Sequence, residues 1–280
     1  QDFDRETTRK AWLGFLGLLK KHRPRRPING ILVAMSLPEL LEQDALMRDA
    51  HAEAIRTRIH ELYDELGVRF PVYFLFTKCD LMSGFVEFYD DLSRKDRDEV
   101  WGFTLPLDLP EEDFEDRFRE EYDLLMNTLT YHMLNRLNDE ESVERVSQVY
   151  TFPRQMSVIT NELQEFLAQV FHSDRFHNMP WVRGVYFTSG TQEGNPIDRL
   201  VNDMLGQIDS LDSLSTVGGN RGRSFFLGRF FEDVLFRESE LAGADPKGER
   251  RRRWLQIGAY SLSGLLLLGG LGTWHTAYKY

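Results

Sequence analysis

Lys78-Cys79-Asp80 closes the apolar run Val72-Tyr73-Phe74-Leu75-Phe76-Thr77, and residue types at this spacing can hold a ligand. Side chains two residues apart on an extended segment point the same way, so Lys78 and Asp80 can address one molecule. An aspartate acceptor matches the adjacent N–H donors on a guanine edge, and the aliphatic stem of the lysine can lie along the base plane. Adenine offers no such donor pair. Ser189-Gly190, at the tip of a later strand, can turn backbone groups towards the same base. The candidate base-binding residues are therefore Thr77, Lys78, Asp80, Ser189 and Gly190. The alternative is a solvated strand end with no ligand.

The phosphate half of such a site is absent. A P-loop needs glycine-rich backbone amides and a lysine, G-x-x-x-x-G-K-[ST], and the sequence contains no Gly-Lys pair. Val217-Gly218-Gly219-Asn220-Arg221-Gly222-Arg223 is glycine-rich but lacks both the lysine and a preceding strand, so it reads as a loop. No Ser/His/Asp, Cys/His or paired-carboxylate set stands out, and no catalytic residue is assigned. His132, His172 and His177 fall in a helical region where structural or exposed roles are expected. Spacing for a Cys/His zinc site is missing, and the single cysteine, Cys79, cannot form an internal disulfide.

The elements that must position Lys78 and Asp80 can be read in order. Trp12, Phe15, Leu16 and Leu19 form a helical stripe that ends on Lys20-Lys21-His22-Arg23 before Pro24. Ile31-Leu32-Val33-Ala34-Met35 reads as a buried strand, followed by a capping-box pattern at Ser36-Leu37-Pro38-Glu39. Asp44 can cap a longer helix with Ile55, Ile59, Leu62 and Leu66 on one face, and Gly67 ends it. The Val72 run is then a second strand, covered on both faces and parallel to the first through a right-handed crossover. About a hundred residues after Asp80 are too many for a bare connection and are expected to be mostly helical. Within them, Phe114, Phe118, Tyr122, Leu125, Leu129, Met133 and Leu137 predict one long helix, and Pro153 to Phe171 predicts another. Gly184 to Thr188 reads as a third parallel strand, and Pro196-Ile197-Asp198 starts a further helix. Ser224 to Glu240 is expected to be helical, with Phe226, Phe230, Val234 and Leu235 on one side, docked on the domain or a membrane surface.

Composition limits the function classes. With 280 residues and 41% hydrophobic content the chain has ample core material. Its net charge of −11 argues against a general nucleic-acid binder. Leu255 to Trp274 is uncharged and matches the ~20 residues that cross a bilayer, so a transmembrane helix is expected there. Arg250, Arg251, Arg252 and Arg253 precede it and only Lys279 follows, which puts residues 1–253 on the cytoplasmic side. The opening Gln1-Asp2-Phe3, without methionine or signal peptide, leads to the expectation of a fragment or processed product.

Several separated blocks resemble the IcmF/TssM family of inner-membrane proteins of type VI secretion systems. They are Val72 to Phe85, Glu99-Val100-Trp101-Gly102-Phe103-Thr104, and Arg223-Ser224-Phe225-Phe226-Leu227 to Leu241-Ala242-Gly243 before a basic run and a span. The resemblance covers nearly the whole chain. It implies an α/β fold with a partial P-loop-NTPase-like parallel sheet, a helical insertion and a C-terminal transmembrane helix. The expected division is an NTPase-like first part (1–83), a mostly helical insertion (84–183) and the last strand and helix of the NTPase-like unit (184–209). A loop with an amphipathic juxtamembrane helix (210–253) and the transmembrane helix (254–275) would follow. Lys78 and Asp80 match the family's base-reading motif. GTP or ATP with magnesium would require a P-loop upstream of Gln1.

The resemblance also implies partners: a TssL-like inner-membrane protein, a TssJ-like lipoprotein reached through a periplasmic part, baseplate proteins, and a homo-oligomeric complex in the bacterial inner membrane. The leading expectation is a scaffold subunit. The alternatives are a GTPase or ATPase using an upstream P-loop, and a tail-anchored GTPase-like binding module.

Overall fold

The computed structural model describes residues 2–140, 142–173, 177, 179–190, 224–243 and 261. Their centre is a four-stranded sheet built of β1 (Ile31–Ser36), β2 (Val72–Thr77), β3 (Gly102–Thr104) and β4 (Val182–Phe187). The strand order is β1-β2-β4-β3. β1, β2 and β4 are parallel, as their sequences predict, and β3 runs antiparallel along β4 with Phe103 opposite Val185. Thus the Val100-Trp101-Gly102-Phe103 aromatic patch supplies a short edge strand.

β2 is covered on both faces, and Val72, Tyr73, Phe74, Leu75 and Phe76 are each no more than 1% exposed. Their alternation divides the core. Phe74, Phe76, Val185 and Phe187 face the main cluster, built from α1 (Asp2–His22), α3 (Ala45–Leu66), α4 (Phe85–Tyr89), α6 (Phe114–Asp139), α7 (Val143–Val158) and α8 (Thr160–Phe171), while the short α5 (Arg94–Arg97) buries no residue. Tyr73, Leu75 and Tyr186 face the other way, against Leu227, Phe230 and Val234. Burying one large apolar side chain stabilises by about 1.5–3 kcal/mol, so this strand is the strongest organiser in the sheet.

Several local signals act as the sequence predicts. The Asp44 carboxylate accepts the Met47 amide at the start of α3, and Gly67 ends that helix in the left-handed conformation, φ 66°. Ile59, Leu62 and Leu66 are buried on its inner face. α6 is one helix of 26 residues, its Phe114, Phe118, Tyr122 and Leu129 buried. On α1 the stripe is only partly used, because Leu16 is buried while Phe15 stays half exposed.

β1 is not the buried strand its sequence predicts but an edge strand, with Ile31 to Met35 only partly buried or exposed. Three expectations about helices also need correction. Pro153 does not start a helix; it lies inside α7, and α8 begins at Thr160 after a break at Ile159. An interior proline gives up a hydrogen bond at a cost of about 3 kcal/mol, which the burial of Val149, Phe152, Pro153 and Met156 on one face offsets. Ser36 stands at the N-cap of α2 (Leu37–Glu42), but its hydroxyl makes no cap bond. The stretch from Ser224 is not a single α-helix either. Phe225 bridges to Ser189, Phe226 turns back at φ 62°, and Phe230–Phe236 is a π-helix.

Docking of that stretch onto the domain is as expected, through Phe230 and Val234 on the sheet. The Pro196 helix and the glycine-rich loop lie outside the described residues, as does the apolar run apart from Ser261. Among the described residues no helix is long and apolar enough to cross a membrane.

Candidate functional site

The C-terminal ends of β1, β2 and β4 converge, and the polar residues of interest sit there. β2 stops at Thr77, whose hydroxyl donates to the Met35 carbonyl at 3.2 Å and ties β2 to β1. Lys78 then takes the left-handed conformation, φ 60° and ψ 31°, and Cys79–Leu81 forms one 3-10 turn. Lys78 and Asp80 are therefore not two residues apart on an extended segment, and the common direction expected from strand geometry does not arise. Glycine-like backbone at a lysine lets the chain turn sharply off the sheet.

Lys78 is half exposed and donates from Nζ to Glu39 Oε1 at 2.5 Å. This hydrogen bond, with the lysine charge, lowers the Glu39 pKa from the usual carboxylate range. Both groups are exposed, so the pair fixes the direction of Lys78 more than it stabilises the fold. Asp80 differs: its Oδ1 is buried and has no hydrogen-bond partner. Because an unpaired buried carboxylate oxygen is costly, it marks the polar atom of this corner best suited to receive a donor from outside.

Cys79 between them is fully buried, its amide donating to the Thr188 carbonyl at 3.2 Å, and burial pushes its thiol pKa well up. It is part of the core and no nucleophile.

Ser189 is 1% exposed, and both its backbone groups are engaged. Its amide donates to the Phe225 carbonyl at 3.1 Å and its carbonyl accepts the Phe225 amide at 2.8 Å. The Thr188 hydroxyl also donates to the Phe225 carbonyl, at 2.9 Å. Gly190 is partly exposed beside it. The structure thus brings Thr77, Lys78 and Asp80 together where β2 passes into the turn, while the backbone of Ser189 serves the segment that starts at Phe225. Arg250, Arg251, Arg252 and Arg253 lie outside the described residues.

Next to the turn, α2, the loop Leu81-Met82-Ser83 and the second half of α7 enclose a groove of about 730 Å³. Its walls are mostly apolar, with Leu41, Met82 and Ile159 inside and Glu42 and Arg154 as charges. Leu81, Tyr150 and Val158 line it while 51%, 48% and 67% exposed, an uncommon grouping of apolar side chains on one surface. Among the described residues no group of three or more histidine, cysteine or carboxylate side chains could hold a metal ion.

Sequence reasoning missed Glu39 and Phe225 as the partners of Lys78 and Ser189. Glu39 carried a signal, because a helix that starts where β1 ends lies beside the end of the adjacent parallel strand β2. Phe225 carried none, being distant in sequence.

The family is decided by comparison with known proteins. The IcmF-related N-terminal domain matches residues 5–263, and the type VI secretion system component TssM1 of Pseudomonas aeruginosa is 46% identical over 283 residues. The chain belongs to the IcmF-related family. The match to TssM1 takes in 100% of this chain and 26% of that protein, so the IcmF-related chain spans about a quarter of its curated relative. No solved structure matches it.

Proposed function

We propose that this chain is the NTPase-like portion of an inner-membrane scaffold subunit, which docks membrane and baseplate proteins of a type VI secretion complex. The observation that carries this reading is the 46% identity to a type VI secretion component along the whole chain. The candidate site agrees with a scaffold, because Lys78 is held by Glu39 and the Ser189 backbone by Phe225. In this reading residues 1–83 and 184–209 form the NTPase-like unit, 84–183 its helical insertion and 210–253 the juxtamembrane part. Residues 254–275 span the inner membrane, with Arg250 to Arg253 on the cytoplasmic side.

Partners of such a subunit are a TssL-like inner-membrane protein, baseplate proteins, a TssJ-like lipoprotein on the periplasmic side and further copies of itself. The test is capture of the first two by the 280-residue chain in nanodiscs without nucleotide. Retention of either supports the scaffold, and loss of both from otherwise folded protein overturns it.

A second reading is favoured by the unpartnered Oδ1 of Asp80. Here the longer protein binds a guanine nucleotide with magnesium, its P-loop upstream of this chain, and Asp80 accepts from the base. Asp80→Asn is then expected to weaken guanine-nucleotide binding to the longer protein by about 1–3 kcal/mol, measured by titration calorimetry. Unchanged affinity would make Asp80 a structural carboxylate.

A further inference from the structure

The segment from Phe225 to Gly243 is fixed at both ends and wound loosely between them. At its start Phe225 exchanges two backbone hydrogen bonds with Ser189, and the Phe226 amide donates to the Arg97 carbonyl. Phe226 sits at φ 62°, a conformation a bulky aromatic residue takes only when its surroundings impose it. At its end Glu238 accepts Arg183 Nε at 2.9 Å, Arg183 Nη2 at 2.6 Å and the Tyr73 hydroxyl at 2.7 Å. Asn29 Nδ2 donates to the Ser239 carbonyl at 2.7 Å, and the Gly243 amide donates to the Arg69 carbonyl at 2.9 Å.

Between these anchors, Phe230–Phe236 forms π turns, each closed one residue later than an α turn. A continuous π run is rare because its hydrogen bonds and backbone are less favourable than those of an α-helix. Phe230 is nevertheless fully buried and Val234 only 9% exposed, so the run is packed, not frayed.

We propose that this strap is a two-state linkage. The Glu238 clasp holds Phe230–Phe236 in the π form, and its release, together with the neighbouring Ser239 and Gly243 bonds, lets the turns rewind as α-helix and shift the register of residues 237–243. The clasp gives the differential contact that such an equilibrium needs, since only the π form carries Glu238 to Arg183 and Tyr73. Tyr73 belongs to β2 and Arg183 to β4, the strands whose far ends carry Lys78, Asp80 and Ser189. A change in how β2 and β4 lie together therefore changes the clasp. Neither the scaffold nor the nucleotide reading is needed for this inference.

Hydrogen exchange on the full-length protein in nanodiscs tests it. Glu238→Gln keeps the shape and removes the charge, so amides of 228–243 should exchange about 10-fold faster while those of α6, α7 and α8 stay unchanged. Deleting exposed Glu232 removes the extra residue of the π turns and leaves Phe230 and Val234 on one α-helical face, as i and i+3. The deletion should exchange no faster than wild type, and should slow exchange when combined with Glu238→Gln. If Glu238→Gln fails to fold, Tyr73→Phe removes one bond to the clasp and should still accelerate exchange by about 3-fold. An unchanged rate in the variant that folds, or a deletion that speeds exchange as much as clasp loss, overturns the linkage.

Discussion

Gly84→Ala is expected to destabilise the domain by about 3 kcal/mol or more, a cost far above that of an ordinary surface change. Gly84 has φ 79°, where an alanine alone costs about 1–2 kcal/mol. A Cβ there would lie 2.1 Å from the Gln148 carbonyl oxygen, 3.0 Å from its carbonyl carbon and 3.3 Å from the Phe152 nitrogen. All three are backbone atoms of α7 and cannot swing aside as a side chain would. Either α7 moves off the loop or the loop moves off α7, and both separate Phe85 and Phe88 from Phe152. Urea unfolding followed through tryptophan fluorescence measures the loss. Gly14→Ala serves as control, because Gly14 is exposed on α1 and a Cβ there meets nothing within 4 Å, so alanine should stabilise by up to about 1 kcal/mol. A Gly84→Ala midpoint equal to wild type would mean that α7 stands away from Gly84 in solution. The same variant should disturb the groove, since Leu81, Met82 and Ser83 directly precede the glycine.

How much of this was legible depends on whether local chemistry or distant partners set the conformation. The apolar run Val72 to Phe76 identified a doubly covered parallel strand because a short run of β-branched, aromatic and aliphatic residues, flanked by Pro71 and a polar turn, suits a strand buried on both faces. Asp44 and Gly67 marked the ends of α3 because capping is a local matter. The backbone conformation at Lys78 was not legible, for the opposite reason. The strand-to-turn transition is set by the Cys79 amide donating to the Thr188 carbonyl, a partner from elsewhere in the chain. The turn itself had left a trace in Cys79-Asp80-Leu81-Met82-Ser83-Gly84, where Asp, Ser and Gly cluster just after an apolar run. The π-helix left none, since residues four apart share a face in α and π turns alike, so Phe230 and Val234 fit either. Family resemblance reached further than the residue-by-residue reading, because blocks in a fixed order carry information that no single turn contains.

Phe152→Ala is expected to cost about 3–5 kcal/mol, the range for emptying a large aromatic site that cannot collapse. The ring is fully buried, and its centroid lies 5.2 Å from Phe85, 5.3 Å from Phe88, 5.6 Å from Tyr89 and 5.9 Å from Trp101. Those four side chains come from the segment that follows the Lys78 turn and from the approach to β3, so one ring on α7 holds the loops at this end of the sheet. Relaxation into the void is limited because Trp101 also packs at a tilt against Phe187 of β4, at 5.0 Å, and Tyr89 edge-on against Phe226, at 4.9 Å. Phe152→Leu should lose clearly less, and Val158→Ala, on the exposed side of the same helix, should stay within about 0.5 kcal/mol of wild type. The decisive measurement is the double variant. Gly84→Ala and Phe152→Ala act on one contact, between the Gly84 loop and the backbone and ring of Phe152, and their combined cost should fall below the sum of the two by about 1 kcal/mol or more. Additive losses would show that the loop and the aromatic cluster are held independently. Sub-additive losses would show one packed unit joining the Lys78 turn to α7 across the groove.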